Sequence, residues 1–277
     1  MSDIEYSLFK IKFIKTRQYD LFNSNYLTPR DFFILSIDEK PSFQMKNGDK
    51  WHIGNIDKFS RSTGYFAVGR TTMEKSSNFD EVSGNFIDVE LEESAYTHCV
   101  FNAELGFLGI AKDSDLTGVN TVAKHLQKLL SNSNTVRDNN ITIEILPIRD
   151  PQNFLSQISA AYRVLKFTAS FRSPNPFDAD EHFQKPLSVY LSMSEGESGK
   201  TEIQGKNLNK EVLKEVTRST VATGNEASAR IEDSEKKQKT IHLKGDSVKR
   251  TYAEHNPQLV LHDLTNLYHE IRNDKRD

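Results

Sequence analysis

Val164-Leu-Lys-Phe-Thr-Ala-Ser-Phe-Arg-Ser-Pro-Asn-Pro-Phe-Asp178 holds two signals in succession. Leu165, Phe167, Ala169 and Phe171 alternate with Lys166, Thr168, Ser170 and Arg172. That period of two predicts a strand with one apolar and one polar face. Pro174 and Pro176 then stop it. Each fixes its own φ, removes a backbone donor and pushes the residue before it out of the helical region. Arg172, Ser173 and Asn175 are thereby presented on a stiff exit at a sheet edge. A guanidinium, a hydroxyl and an amide placed there suit binding of an anion or a backbone. The same residues also read as a plain strand terminator whose arginine pairs with Asp178 or Asp180.

Working toward the N-terminus, Asp150-Pro151 opens a helix with Phe154, Leu155, Ile158 and Ala161 facing inward. Ile141 to Ile148 is a β-branched strand, and residues 115–130 follow the 3.6 period of a helix. The order strand 106–111, helix, strand 141–148, helix, strand 164–172 predicts one α/β layer. Residues 4–111 read as mostly antiparallel sheet with one helix. Thr28 caps that helix, Pro29 begins it, and Phe32, Phe33 and Leu35 are expected inside. Ile4 to Lys15 alternates, with Phe9, Ile11 and Phe13 opposed by Lys10, Lys12 and Lys15. It predicts a strand with a basic, solvated outer face. Asn47-Gly48 predicts a type I′ hairpin turn, and a bulge is expected near Gly54. Residues 72–85 read as a polar loop or a long hairpin connection.

Toward the C-terminus, Asn209 to Val221 is an amphipathic helix with Val212, Leu213, Val216 and Thr220 inward, and Gly224 is its left-handed stop. Residues 226–232 and 240–243 form a hairpin with a charged tip. Pro257 opens a last helix whose stripe of Val260, Leu261, Leu264, Leu267, Tyr268 and Ile271 either closes the core or forms a dimer seam. The fold class is α+β: a largely antiparallel N-terminal sheet, a βαβαβ-type layer, and a C-terminal helix–hairpin–helix region. The parts are residues 1–111 and 112–277, as two units or as one continuous domain.

The 277 residues suffice for a sizeable core, and 17 phenylalanines are available to anchor it. A net charge of −3 argues against a uniformly basic coat, but not against a local basic stripe. One cysteine, Cys99, excludes an internal disulfide and a thiolate zinc site within one chain. The acidic start is unlike a signal peptide, and no apolar run approaches a bilayer span, so a cytoplasmic location without membrane contact is expected.

The basic candidates are Lys236, Lys237, Lys239, Lys244, Lys249 and Arg250, with Arg230 beside them. On a protruding hairpin they would track a phosphate backbone. An exposed turn kept soluble by lysine looks the same. His255, His262 and His269 recur every seven residues, too wide for one ion on a helix, and no metal or cofactor is expected. His98 and Cys99 are strand neighbours pointing to opposite faces. Glu232, Asp233, Glu235 and Lys237 offer the residue types of a metal-dependent nuclease, without a trusted pattern. There is no phosphate-binding Gly-x-x-x-x-Gly-Lys, no Gly-x-Ser-x-Gly and no His-Glu-x-x-His.

The layout of residues 115–148 and the stretches "LKFTASFRSPNPFD", "LKEVTRSTVATGNEASARIED" and "TIHLKGD" resemble a group of bacterial and prophage proteins that often accompany phage-defence genes. More distantly, the architecture resembles the RexA-like and KwaB-like proteins. The closer likeness, to the bacterial and prophage group, covers roughly residues 100–250. It implies a non-enzymatic antiphage component that binds nucleic acid, DNA or RNA, as sensor or effector and as a homodimer. Arg172 and Asn175 stand in its shared Arg-Ser-Pro-Asn-Pro exit. Two other functions remain open: a protein-interaction subunit that contacts a partner defence protein, and the nuclease.

Overall fold

The computed structural model describes residues 3–15, 27–172, 183–194, 196 and 198–272. In chain order they form β1 (Ile4–Lys15), α1 (Pro29–Asp38), β2 (Ser42–Gln44), β3 (Lys50–Lys58), β4 (Thr63–Asp80), β5 (Asn85–Asn102), β6 (Phe107–Ala111), α2 (Val119–Ser131), α3 (Asn134–Asp138) and β7 (Ile141–Pro147). Next come α4 (Gln152–Ala160), β8 (Arg163–Arg172), α5 (Gln184–Met193), β9 (Ser198–Gln204), α6 (Lys210–Ala222), β10 (Ala227–Glu232), β11 (Gln238–His242), β12 (Lys249–Tyr252) and α7 (Pro257–Arg272). The chain is α+β, with a large antiparallel sheet in its N-terminal part and a C-terminal helix.

The large sheet runs β12-β1-β6-β5-β4-β3-β2, with β7 also on β1. β6 takes one edge of β1 over residues 6–10. The other edge is shared: β12 pairs residues 4–7 and β7 pairs residues 9–15. The two meet at Leu8, whose N–H donates to Val248 O and whose carbonyl accepts from Ile148 N. Strands from the second half of the sequence thus complete the sheet of the first half, across the expected boundary at residue 111.

Both faces of this sheet are covered. Phe9, Ile11 and Phe13, with Trp51, Phe66, Phe101 and Leu108, pack under α1, α2 and α3. Cys99 lies fully buried in the same layer. On the opposite face Tyr6, Leu8, Val100 and Phe107 meet α7. Behind α7 stand α6 and α4, and behind these the inner face of a second sheet, order β11-β10-β8-β9.

Local chemistry sets the helix ends. Thr28 Oγ1 accepts from Asp31 N (3.2 Å) and Asp31 Oδ2 accepts from Thr28 N (3.0 Å), a reciprocal capping box. Asn209 Oδ1 accepts from Glu211 N at 3.0 Å. Gly224 turns left-handed, φ +69°, after α6. The α7 stripe of Val260, Leu261, Leu264, Leu267, Tyr268 and Ile271 is buried within this chain, so it is core and not a seam.

Several expectations are corrected. Lys10 and Lys12 are not a solvated face: both are buried, because α6 and α7 cover that side of β1. Lys10 Nζ donates to Leu105 O (2.6 Å) and Tyr268 Oη (3.1 Å) and sits 5.3 Å from the Tyr268 ring centre. Lys12 Nζ donates to Asn225 Oδ1 at 3.4 Å. Leu35 and Val212 are exposed, with Ile37 and Thr217 buried in their helices. Gly48 has positive φ but Asn47 does not, so the turn is not type I′. The bulge does occur, between Gly54 and Asp57. The βαβαβ layer is divided: β6 and β7 flank β1, and β8 lies in the other sheet. Of the two readings of residues 72–85, the long hairpin connection is the one found: residues 72–80 continue β4, and β5 begins at Asn85.

Gly109 marks how tightly α7 seats: a Cβ there would collide with Leu264 Cδ1 and come within 2.9 Å of Val100 Cγ2. Gly109→Ala is expected to cost about 1–3 kcal/mol by overpacking, read from urea unfolding. Adding Leu264→Ala should cost less than the sum of the two single changes, because the two share one space.

Candidate functional site

The fold separates the basic residues. Lys236 and Lys237 occupy the β10–β11 tip, where Asp233 Oδ1 accepts from Glu235 N and Lys237 N, both at 2.9 Å. Lys236 is left-handed there, φ 62°, and Lys237 Nζ pairs with Glu235 at 2.7 Å. Lys239 follows, exposed, on β11. Lys249 and Arg250 lie on β12, at the edge of the other sheet, and each meets an acid: Glu5 at 3.1 Å and Asp263 at 3.9 Å. Lys244 lines a cleft of ≈ 350 Å³ with Arg149, His242 and Glu226, where Arg149 stands 3.7 Å from Glu226. Arg172 ends β8 opposite Ser198; its side chain, Ser173 and Asn175 lie outside the described residues.

Arg230 belongs to a different surface, the outer face of the small sheet. Directly opposed residues share a face, so the register defines it. One row reads Thr240, Arg230, Lys166, Gln204 across four strands; the next reads His242, Ser228, Thr168, Glu202. Ser170 and Lys200 extend it. None of these side chains is buried, so no described element covers the face. On the two aligned rows the carboxylate is Glu202, which takes a 2.6 Å bond from Lys166 Nζ that holds its pKa below the usual range with help from Gln204 and Arg230; Glu226, across from Ser170, is a second acid at the margin. The Lys166, Thr168 and Ser170 row was legible in the alternation of β8. Its alignment with Arg230 and Lys200 was not, because pairing register is absent from any one segment.

The nuclease candidates do not assemble. Glu232 is 8% exposed and is held by Arg163 (3.8 Å) and Gln238 (3.3 Å), while Asp233 caps the turn. Among the described residues no three His, Cys, Asp or Glu side chains are grouped to hold a metal ion.

Sequence reasoning missed a second cluster. His98 of β5 and His255, in the loop before α7, stack with ring centres 3.8 Å apart. Tyr65 Oη lies 2.7 Å from His98 Nδ1, and Tyr6 Oη lies 3.2 Å from His255 Nδ1. Tyr96 stands edge-on to His98. Burial, then the neighbouring His255, lowers the His98 pKa to about 4; burial also lowers that of His255. Burial raises Tyr65 to about 12 and Tyr6 higher still, so both phenols stay protonated. At neutral pH this is an uncharged polar stack that anchors the α7 entry to β4 and β5. Its members span nearly the whole chain and have no local motif.

The pH consequence follows from the sign of the shift. The unfolded His98 titrates near 6.5 and the folded one near 4, so the unfolded chain binds more protons between those values. Its contribution to stability is whole above pH 6.5 and is lost as pH falls toward 4. Melting temperature should drop through that window, and His98→Gln should flatten the drop in a thermal-shift series. Compared with known proteins, no family model matches the chain and no curated protein matches it.

Proposed function

We propose that this chain binds nucleic acid, DNA or RNA, without catalysing a reaction, as sensor or effector in defence against phage. The observation that carries the reading is the uncovered outer face of the small sheet, where Lys166, Arg230 and Lys200 stand among the hydroxyls of Thr168, Ser170, Ser228 and Thr240. The cleft with Arg149, His242 and Lys244 continues it past β11. A flat antiparallel face with hydroxyls and cations suits phosphates and extended single strands. It has no Phe, Tyr or Trp on its two aligned rows, so base stacking contributes little and the binding is phosphate-driven and sequence-tolerant. The defence setting rests on the resemblance of roughly residues 100–250 to bacterial and prophage proteins that accompany phage-defence genes, and on the more distant RexA-like and KwaB-like architecture.

Arg230, Lys200 and Lys244 stand in no ion pair among the described residues. Three such contacts give a slope of log affinity on log salt of about −2 for a single strand. Fluorescence anisotropy with labelled single and double strands at two salt concentrations measures it. Arg230→Glu with Lys200→Glu should weaken binding about tenfold or more at low salt without changing the melting temperature. Lys249→Ala, on the other sheet and paired with Glu5, should change nothing. Absence of binding at low salt sinks the reading.

A further inference from the structure

The two longest strands run past the sheet that holds them. β3 pairs with β4 only as far as Thr71, and β6 pairs with β5 only from Cys99. From Thr72↔Glu93 to Asp80↔Asn85 the two strands pair with each other alone. Nine such pairs make an arm about 30 Å long. No residue from 72 to 94 is buried. Phe79 and Phe86 touch edge to face near the tip, at 5.2 Å, and are 55% and 77% exposed; Val82 at the turn is 97% exposed. On β5 the arm is two-faced: Ile87, Val89 and Leu91 on one side, Asp88, Glu90 and Glu92 on the other. A lone two-stranded hairpin is marginal in water, and open strand edges invite pairing. This arm has both properties and no partner among the described residues of its own chain.

Charge says what fits it. Residues 72–94 hold seven acids, Glu74, Asp80, Glu81, Asp88, Glu90, Glu92 and Glu93, against Lys75, a net −6. The whole chain is −3, so the remainder carries +3. A polyanion is repelled, and so is the arm of another copy. The complement lies elsewhere on the same chain. β11 is the outer strand of the small sheet, its far edge pairs with no strand among the described residues, and Lys236, Lys237 and Lys239 lie along it and at its turn end.

The geometry points to one occupant: the acidic arm of one copy adds as a strand to the lysine-rich β11 edge of a second copy. Main-chain hydrogen bonds supply the join, and Asp88, Glu90 and Glu92 against Lys236, Lys237 and Lys239 fix the partner. This does not rest on the nucleic-acid reading, since it uses the edge of the small sheet and not its outer face.

Sedimentation or light scattering of the full chain, over a concentration series at about 50 and 500 mM salt, tests it. Assembly into two or more copies is expected at low salt and dissociation at high salt. Asp88→Lys with Glu90→Lys and Glu92→Lys should be monomeric. So should Lys236→Glu with Lys237→Glu and Lys239→Glu. An equal mixture of the two variants should associate again. An arm-shortened chain, with residues 73–92 replaced by Asn-Gly between the opposed Thr72 and Glu93, should keep the parent melting profile and stay monomeric. A parent chain that is monomeric throughout at low salt overturns the inference, as does assembly indifferent to both charge reversals. A monomeric parent that binds an alternating Val-Lys peptide would also overturn it, by assigning the arm to a foreign basic partner. Strand-binding anisotropy of the shortened chain, run in parallel, reads the outer face independently.

Discussion

Burial of β1 on both faces is the constraint on which the other elements depend. Its odd residues hold one core and its even residues the other, and its two edges carry three strands. A strand so placed cannot slip by one residue without exchanging the contents of the two cores. The cost is that Lys10 and Lys12 travel inside with it. Burying an ammonium is unfavourable unless it is well bonded. The structure meets that requirement with the Leu105 carbonyl, the Tyr268 hydroxyl and ring, and Asn225. These partners come from the loop before β6, from α7 and from the turn after α6. The lysines therefore tie the position of the C-terminal helices to the first strand.

The local rules were legible wherever one segment decided the outcome. The Thr28 cap, the Gly224 stop, the stripe of α7 and the alternation of β8 all follow from neighbours in sequence. What failed was assignment of an outside. Alternation in Ile4–Lys15 separated two faces correctly, and the lysines suggested that one was wet. Only the return of α6 and α7, some 200 residues later, makes it dry. The split of β6, β7 and β8 between two sheets has the same origin, because strand pairing is a long-range choice.

The site followed this pattern. Lys236 to Arg250 is one basic run in sequence, but β11 and β12 belong to different sheets, so the run is cut in two. Lys249 and Arg250 then fall beside Glu5 and Asp263. Conversely, Lys166, Arg230 and Lys200 are far apart in sequence and gather on two aligned rows and their margin. The stacked His98 and His255 are likewise a product of topology, joined where the α7 entry crosses β4 and β5.

Cys99 sits in the middle of the large sheet with no exposed surface, and it is the chain's one thiol. Burial also raises its pKa well above the ordinary value, so it is protonated as well as shielded. A thiol reagent can reach it only when α1, α2 and α3 lift from the sheet or β5 parts from its neighbours. The molecule thus carries a natural stopwatch for the opening of that core, one that needs no added label and that stays silent during movements of the arm or the small sheet.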